Sequence, residues 1–293
     1  MTSVVATGLR LRVEETAARL SEAGCDEPRS EAEALVSTAA GSVPRHLLYT
    51  EERDLSPDER ERLEALLERR LRGEPLQYIT GQAAFRLLTL AVDRRALIPR
   101  PETEGLVEVA LQLVPTNAPA TVLDAGTGSG AIAISLAMEC PAWTILAADA
   151  SPAALELARE NAARYDVTSV EWIEADLAGY GIWRHLPPLD LLISNPPYVS
   201  EAEWDRLPVE IRDYEPRAAL LAGPEGLDLI IPILEGASMR VRPGGTVVME
   251  IGERQGERVI EATRRAGFDD IRIAPDLAGR PRYLIAIQPR RGE

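Results

Sequence analysis

The 293-residue chain contains no lysine: all 32 of its basic residues are arginine, set against 47 acidic residues, for a net charge of −15. Acidity on that scale disfavours a broad surface for gripping phosphate backbones, although it leaves room for a local basic groove. Two explanations of the composition stand side by side. A salt-rich cytoplasm would screen the self-repulsion, and a GC-rich genome would replace lysine by arginine without selection on charge. Cysteine is nearly missing too. Cys25 and Cys140 are far apart and fit neither a disulfide pattern nor metal spacing. His46 and His185, the two histidines, belong to no ligand cluster. Zinc, haem and iron–sulfur chemistry are therefore disfavoured, and no metal is expected. The sequence has no basic-then-apolar N-terminal signal and no apolar run long enough to span a bilayer. A cytoplasmic protein without membrane attachment is the simplest expectation.

What is present is apolar content of 45%, enough to give one large or two modest domains a core. Residues 1 to about 73 read as helical, with no strand signal. Ser56-Pro57-Asp58-Glu59 has the form of a helix start, with Ser at the N-cap, Pro at the first position and Glu at the third. Leu63, Leu66, Leu67 and Leu71 then repeat at helical spacing up to Gly73. Leu9–Leu20 and Ser30–Ala40 carry weaker amphipathic patterns. A small N-terminal helical bundle is expected, serving either as a packing module or as a docking surface for a macromolecular substrate. Residues 74–100 read as a linker: Tyr78–Gly81 and Phe85–Val92 predict a short β-hairpin. Leu97–Glu104, with Pro99 and Pro101, predicts an extended entry into a helix over Glu104–Leu113.

From residue 101 the third region begins, and from Thr121 strands and helices alternate, which implies a parallel sheet. The expected strands are Thr121–Ala125, Thr144–Ala148, Val170–Glu174, Leu189–Ile193 and Thr246–Ile251. Ser151-Pro152 starts an intervening helix. Asp270–Ala274 and Tyr283–Gln288 lack a helix between them and predict an antiparallel terminal hairpin.

Two motifs lie at expected strand ends. Asp124-Ala125-Gly126-Thr127-Gly128-Ser129-Gly130 ends the first strand and opens a helix, a turn in which glycines let the backbone approach a ligand. Dinucleotide folds use similar loops, and some are only tight turns. Here the spacing is G-x-G-x-G rather than G-x-G-x-x-G, and no lysine follows, which excludes a Walker-type site. Acids recur at the ends of successive strands: Asp124, Asp149 and Asp176. A carboxylate in the position of Asp149 can accept both hydroxyls of a ribose. Asp176 and Leu177 can bracket an adenine with one polar and one apolar contact. The second motif is Asn195-Pro196-Pro197-Tyr198, after the apolar run Leu189–Ile193. Such dipeptides are common in turns. They are also chemically specific: consecutive prolines have no N–H to donate and fix their own φ. The Pro196 carbonyl and the Asn195 side-chain oxygen are left as acceptors for the two hydrogens of a planar –NH₂ group, and Tyr198 supplies a flat aromatic wall.

Together these motifs point to S-adenosyl-L-methionine beside an –NH₂ acceptor. The chain resembles the HemK family of protein-(glutamine-N5) methyltransferases, in its release-factor-specific branch. The resemblance runs from about Arg72 to Ile287. It rests on Arg72–Ile79, Leu97–Glu104, the glycine loop, Ser194–Val199, Tyr214–Leu220, Gly226–Asp228, Met249–Gly252 and Asp276–Arg280, in that order. It departs from relatives at Gln82–Leu88, which lacks the second aromatic and the glycine often found after the phenylalanine. The resemblance implies an α/β class I S-adenosylmethionine-dependent methyltransferase, Rossmann-like, with a seven-stranded sheet and an antiparallel terminal hairpin, plus the N-terminal helical bundle. It implies that Gly126, Thr127, Gly128, Ser129 and Gly130 wrap the methionine part of the cofactor. Asp149 would hold the ribose, Asp176, Leu177 and Asn195 would complete the cofactor site, and S-adenosyl-L-homocysteine would be the product. Asn195, Pro196, Pro197 and Tyr198 would hold a substrate glutamine, with Asn195, Pro196 and Tyr198 at the chemistry. The implied partners are class I peptide-chain release factors, with no nucleic acid and no membrane, and the protein would be a monomer. A ribosomal-protein glutamine methyltransferase, a DNA adenine-N6 methyltransferase and a non-catalytic cofactor-binding scaffold are the rival readings. The second would need a basic base-flipping region, which the charge argues against.

Overall fold

A computed structural model describes residues 8–290 of the chain; the first seven residues of the expected helical region lie outside it. The described residues form two compact units, one of residues 8–81 with Val209–Tyr214, the other of residues 82–208 with 215–290.

The first unit contains α1 (Gly8–Glu22), α2 (Pro28–Ala39), a 3-10 turn at Arg45–Tyr49, α3 (Pro57–Leu71) and α4 (Leu76–Thr80). Leu9, Val13, Leu20, Leu35, Val36, Leu48, Leu63 and Leu67 are buried together at its centre. The Ser56 cap is as expected: its Oγ accepts from the Glu59 N–H, and the Glu59 carboxylate accepts from the Ser56 N–H at 2.8 Å. Leu71, read into the same apolar stripe, is exposed. Tyr78–Gly81 is a correction. It is the helix α4 and its cap, not part of a hairpin, because Leu76 and Ile79, three residues apart, both turn into the helical core, and Gly81 closes the turn at φ +71°.

The second unit opens with the hairpin β1 (Gln82–Phe85) and β2 (Leu88–Ala91), then α5 (Pro101–Leu113). The two-residue hairpin turn has no glycine. Arg86 itself takes φ +51°, and its guanidinium is held by both oxygens of Glu139 at 2.8 and 2.7 Å. Helix α5 begins three residues before the expected Glu104, because Arg100 is extended and Pro101 takes the first helical position. There follow β3 (Ala120–Ala125), α6 (Ala131–Glu139), β4 (Trp143–Asp149), α7 (Pro152–Arg164), β5 (Val170–Glu174), α8 (Tyr180–Trp183) and β6 (Leu189–Ser194). The short helices α9 (Glu201–Trp204) and α10 (Val209–Arg212) come next, α10 belonging to the first unit. The chain then forms α11 (Ile230–Arg240), β7 (Val241–Glu250), α12 (Gly256–Arg265), β8 (Asp269–Pro275) and β9 (Pro281–Ile287).

The strands form a seven-stranded sheet in the order β5-β4-β3-β6-β7-β9-β8, with β3 to β7 parallel and β9 antiparallel to both neighbours. Alternation along the strands feeds two cores. Val122, Ile145, Leu191 and Ile193 pack with α5, α6 and the hairpin on one face. Leu123, Leu146, Leu192, Val247 and Met249 pack with α11 and α12 on the other. Among the described residues no helix is long and apolar enough to cross a membrane.

On the second face Trp183 is fully buried against Gly236 of α11, where a Cβ would stand 2.0 Å from the indole ring. Gly236→Ala is expected to destabilise the protein by about 1–3 kcal/mol through overpacking, read as a lowered urea midpoint with an unchanged slope.

Candidate active site

The central strands β3 and β6 are hydrogen-bonded neighbours, with Asp124 opposite Ile193. The glycine loop and the Asn-Pro-Pro-Tyr segment therefore leave adjacent strand ends at the point where the strand order reverses, the crevice position of open α/β sheets. Ser194 Oγ donates to the Ala125 carbonyl at 2.6 Å and stitches the two ends together. The loop is tied to β4 as well, since the N–H groups of Gly126 and Thr127 both donate to the Ala148 carbonyl at 2.8 and 3.0 Å. Gly130 is at φ +83°, and a Cβ there would lie 3.0–3.2 Å from Ile134, Ala158 and Trp172, so glycine is needed for conformation and for space.

Asp124 departs from its expected place among ligand-facing acids. It is completely buried and does not line the cavity. One of its oxygens accepts from Thr127 Oγ1 at 2.6 Å and from the Ala133 N–H at 3.1 Å. The N-cap of helix α6 is Gly130, which has no side chain to cap it, and Asp124 reaches the first turn instead. Burial pushes the Asp124 carboxyl up to about 7, against the downward pull of Thr127 and Ala133.

A cavity of about 400 Å³ opens at the ends of β3, β4 and β6, a volume suited to a small-molecule ligand. Gly126, Thr127, Gly128, Ser129, Asp149, Asp176, Leu177, Asn195 and Pro197 all line it. Gly130, Pro196 and Tyr198 do not: Gly130 is packed against Ile134, Ala158 and Trp172, Pro196 is buried, and Tyr198 is half-buried against the core of the second face. Asp149 Oδ2 accepts from the Gly128 N–H at 2.9 Å and Oδ1 from the Ser151 N–H at 2.8 Å. Each oxygen retains acceptor capacity for a ligand hydroxyl. Burial raises its proton affinity, and these N–H donors oppose that. Asp176 lies two residues past β5 in a turn, its Oδ1 accepting from the Ala178 N–H at 2.9 Å, with buried Leu177 beside it. The opposite wall is made by Leu97, Pro99, Arg100, Pro216 and Ala219. Buried Glu215 fastens it, accepting from the Ile98 N–H at 3.1 Å and from the Arg100 guanidinium.

The Asn-Pro-Pro-Tyr segment rests on a buried polar chain. Asn195 Nδ2 donates to Thr103 Oγ1 at 2.9 Å, and Thr103 Oγ1 donates to Glu250 Oε2 at 2.8 Å. Tyr198 donates its phenol proton to Glu250 Oε1 at 3.2 Å, which ties its ring to the same buried carboxylate. Glu250 is 1% exposed; burial raises its proton affinity, and Thr103, Arg282 and Tyr198 lower it. Gln255 holds the far end of the segment, its Nε2 donating to the Tyr198 carbonyl at 2.8 Å. Sequence reasoning gave no role to Thr103, Glu215, Glu250 or Gln255. The available signal was an acid at the end of the apolar strand Val247-Val248-Met249, a position where an unpaired charge would be expensive. Among the described residues no cluster of His, Cys, Asp and Glu could hold a metal.

Asp124 gives a pH signature. Its carboxyl is held near 7 in the folded state, above its ordinary 3.8, so between these values the folded protein keeps a proton that the unfolded chain releases. The associated stability is present at pH 4 and is lost as the pH rises through 7, a swing on the order of 3 kcal/mol. Asp124→Asn cannot titrate, so its stability relative to the unsubstituted protein should rise across pH 4–8 in parallel urea titrations. A difference constant with pH would show that Asp124 does not take up that proton.

Residues 13–81 match the PrmC N-terminal domain, and residues 107–209 match the methyltransferase small domain. A methyltransferase of known structure from Pyrococcus furiosus covers 76% of this chain and 97% of its own with a TM-score of 0.51 at 18% identity, a likeness of fold alone. The release factor glutamine methyltransferase of Moorella thermoacetica is 40% identical over 280 residues, 95% of this chain and 98% of its own. That of Cereibacter sphaeroides is 41% identical over 273 residues, 92% and 95% of the two chains. Identity at this level over nearly the whole length of both chains means that the chain belongs to the release factor glutamine methyltransferase family.

Proposed function

We propose that the protein transfers a methyl group from S-adenosyl-L-methionine to the side-chain nitrogen, N5, of the glutamine in the Gly-Gly-Gln motif of class I peptide-chain release factors, in the cytoplasm. The observation that carries the reading is the position of Asn195 on the wall of the glycine-loop cavity, with its amide nitrogen spent on Thr103. Its oxygen is left to accept from a substrate –NH₂. The residues fit the cofactor: Asp149 retains acceptor capacity for ribose hydroxyls, and Leu177 offers an apolar surface beside Asp176 for an adenine.

Bound cofactor supplies a methyl group on a positively charged sulfur. An amide nitrogen is a poor nucleophile, because its lone pair is conjugated with the carbonyl. Asn195 Oδ1 and the Pro196 carbonyl accept its two N–H bonds and orient it toward the cavity. As the nitrogen takes on positive charge these acceptors bind it more tightly, so they favour the transition state over the ground state. Alignment of the reacting atoms adds the benefit of proximity, and the surplus proton leaves to water. Pro196 contributes through its backbone, in keeping with its side chain lying off the cavity wall, and Tyr198 contributes by holding the segment in shape.

A side-chain amide on an exposed loop can reach a pocket at a strand end without unfolding its own protein, and flanking glycines permit the close approach. So short a loop offers little affinity. The helical N-terminal region, residues 1–73, ahead of the 74–100 linker and the 101–293 catalytic domain, is proposed as the docking surface that supplies the rest. Label from methyl-labelled cofactor should appear on the Gly-Gly-Gln glutamine of an intact release factor, with a KM far below that for a free Gly-Gly-Gln peptide. Label on a ribosomal protein or on DNA instead would overturn the substrate, and equal KM values would remove the docking role.

Two substitutions separate binding from chemistry. Asn195→Ala should keep cofactor affinity within a few-fold and lose ~10²–10³ in turnover, as for loss of one preorganised polar contact. Asp149→Ala should weaken cofactor and demethylated product alike by roughly tenfold or more in calorimetry while the protein stays folded, since charged hydrogen bonds of this kind contribute about 1.5–3 kcal/mol each.

A further inference from the structure

We infer that Glu250, acting through Thr103, is the positioning residue that sets which end of the Asn195 amide faces the substrate. The inference rests on the proposed acceptor role of Asn195.

An asparagine amide can be turned by 180° with little change of shape, which exchanges an acceptor for a donor. Facing a substrate –NH₂, the turned form would present two N–H bonds to two N–H bonds. Something must therefore choose between the two orientations. A carboxylate is an acceptor at both oxygens, and Glu250 uses one on Thr103 at 2.8 Å and the other on Tyr198 at 3.2 Å. A threonine hydroxyl has a single proton. With that proton committed to Glu250, Thr103 Oγ1 has only lone pairs to show to Asn195, so the amide must offer its nitrogen there, at 2.9 Å. Oδ1 is then the end left for the substrate.

The chain is built to hold this polarity. Thr103 is 4% exposed and Glu250 1%, so bulk water does not substitute for a missing partner. Thr103 comes from the first turn of α5, Asn195 from the end of β6 and Glu250 from the end of the neighbouring strand β7. With the Tyr198 phenol on the second oxygen, both polar residues of the Asn-Pro-Pro-Tyr segment are tied to one carboxylate, Tyr198 directly and Asn195 through Thr103. Buried polar groups with every proton assigned specify one arrangement.

The test uses two readouts. The chain has three asparagines, Asn117, Asn161 and Asn195, so selective nitrogen-15 labelling gives three side-chain amide signals, and Asn195→Ala identifies one of them. Thr103→Val, which keeps the shape and removes the hydroxyl, should shift the Asn195 amide signal. It should also lower kcat by about 10²-fold, the scale of a misplaced reacting group, with cofactor affinity kept within a few-fold, since Thr103 only borders the cavity. Glu250→Gln can turn its own amide and release the Thr103 proton, so it should shift or split the same signal and lower kcat. Thr103→Ser restores the hydroxyl and should return both signal and rate toward the unsubstituted protein. An Asn195 signal that stays in place in Thr103→Val and Glu250→Gln would overturn the inference whatever the rates, because a packing defect alone would then account for any loss. Shifted signals with full turnover would overturn it too. The amide signals need no substrate, so they decide the hydrogen-bond chain even if the unsubstituted protein proves not to methylate a release factor, a result that would remove the proposed function instead.

Discussion

The pairing of β3 with β6 is the constraint on which the rest of the site depends. Parallel strands that are neighbours in space but separated in sequence must send their following loops out at the same edge of the sheet. Here that edge receives the glycine loop from one strand and Asn195 from the other, with Asp124 opposite Ile193 fixing the offset between them. A slip of one residue would move every apolar side chain of β6 to the wrong face. Leu191 and Ile193 belong to one core and Leu189 and Leu192 to the other, so burial on both faces holds the site in register.

Buried carboxylates are the fasteners of this edge. Asp124 holds the loop to the start of α6, Glu215 holds the 97–100 segment to the 215–220 loop, and Glu250 holds Thr103 and Tyr198. Each is removed from water and held by donors, although one oxygen of Asp124 is left without a partner, in keeping with its raised proton affinity. The many arginine–carboxylate pairs at the surface are of a different kind. Arg10–Glu14 and Arg265–Glu261, for example, are single helical turns exposed to solvent, where such pairs contribute about 0–1 kcal/mol.

Much of the fold was legible because it follows from local rules. Strand alternation, the Ser56 and Ser151 caps and the glycine loop are each decided within a few residues. The errors mark where distant packing decides. Tyr78–Gly81 has the composition of a strand, and two core-facing side chains three residues apart make it a helix instead. Asp124 looks like its counterparts Asp149 and Asp176 in sequence; which of them lines the cavity depends on the direction of one side chain relative to α6. Val209–Tyr214 joins the first unit across more than a hundred residues with no local sign, its Arg70–Glu210 pair being visible only in three dimensions. The chain from Asn195 through Thr103 to Glu250 spans separations of 92 and 147 residues, beyond the reach of any motif.

The sheet order also bears on how the protein is made. Strand β9, residues 281–287, lies between β7 and β8, although β8 is synthesised before it. A growing chain that has completed β8 has a one-strand gap beside Glu250, whose partner across the ladder is Tyr283. Closing that gap brings distant segments together at a cost in loop entropy, and it excludes water from the carboxylate only when the late strand slots in. The buried chain beneath Asn195 is therefore closed off on this side only once residues 281–287 are in place. An incomplete chain can finish its glycine loop while the anchor of its asparagine is still wet.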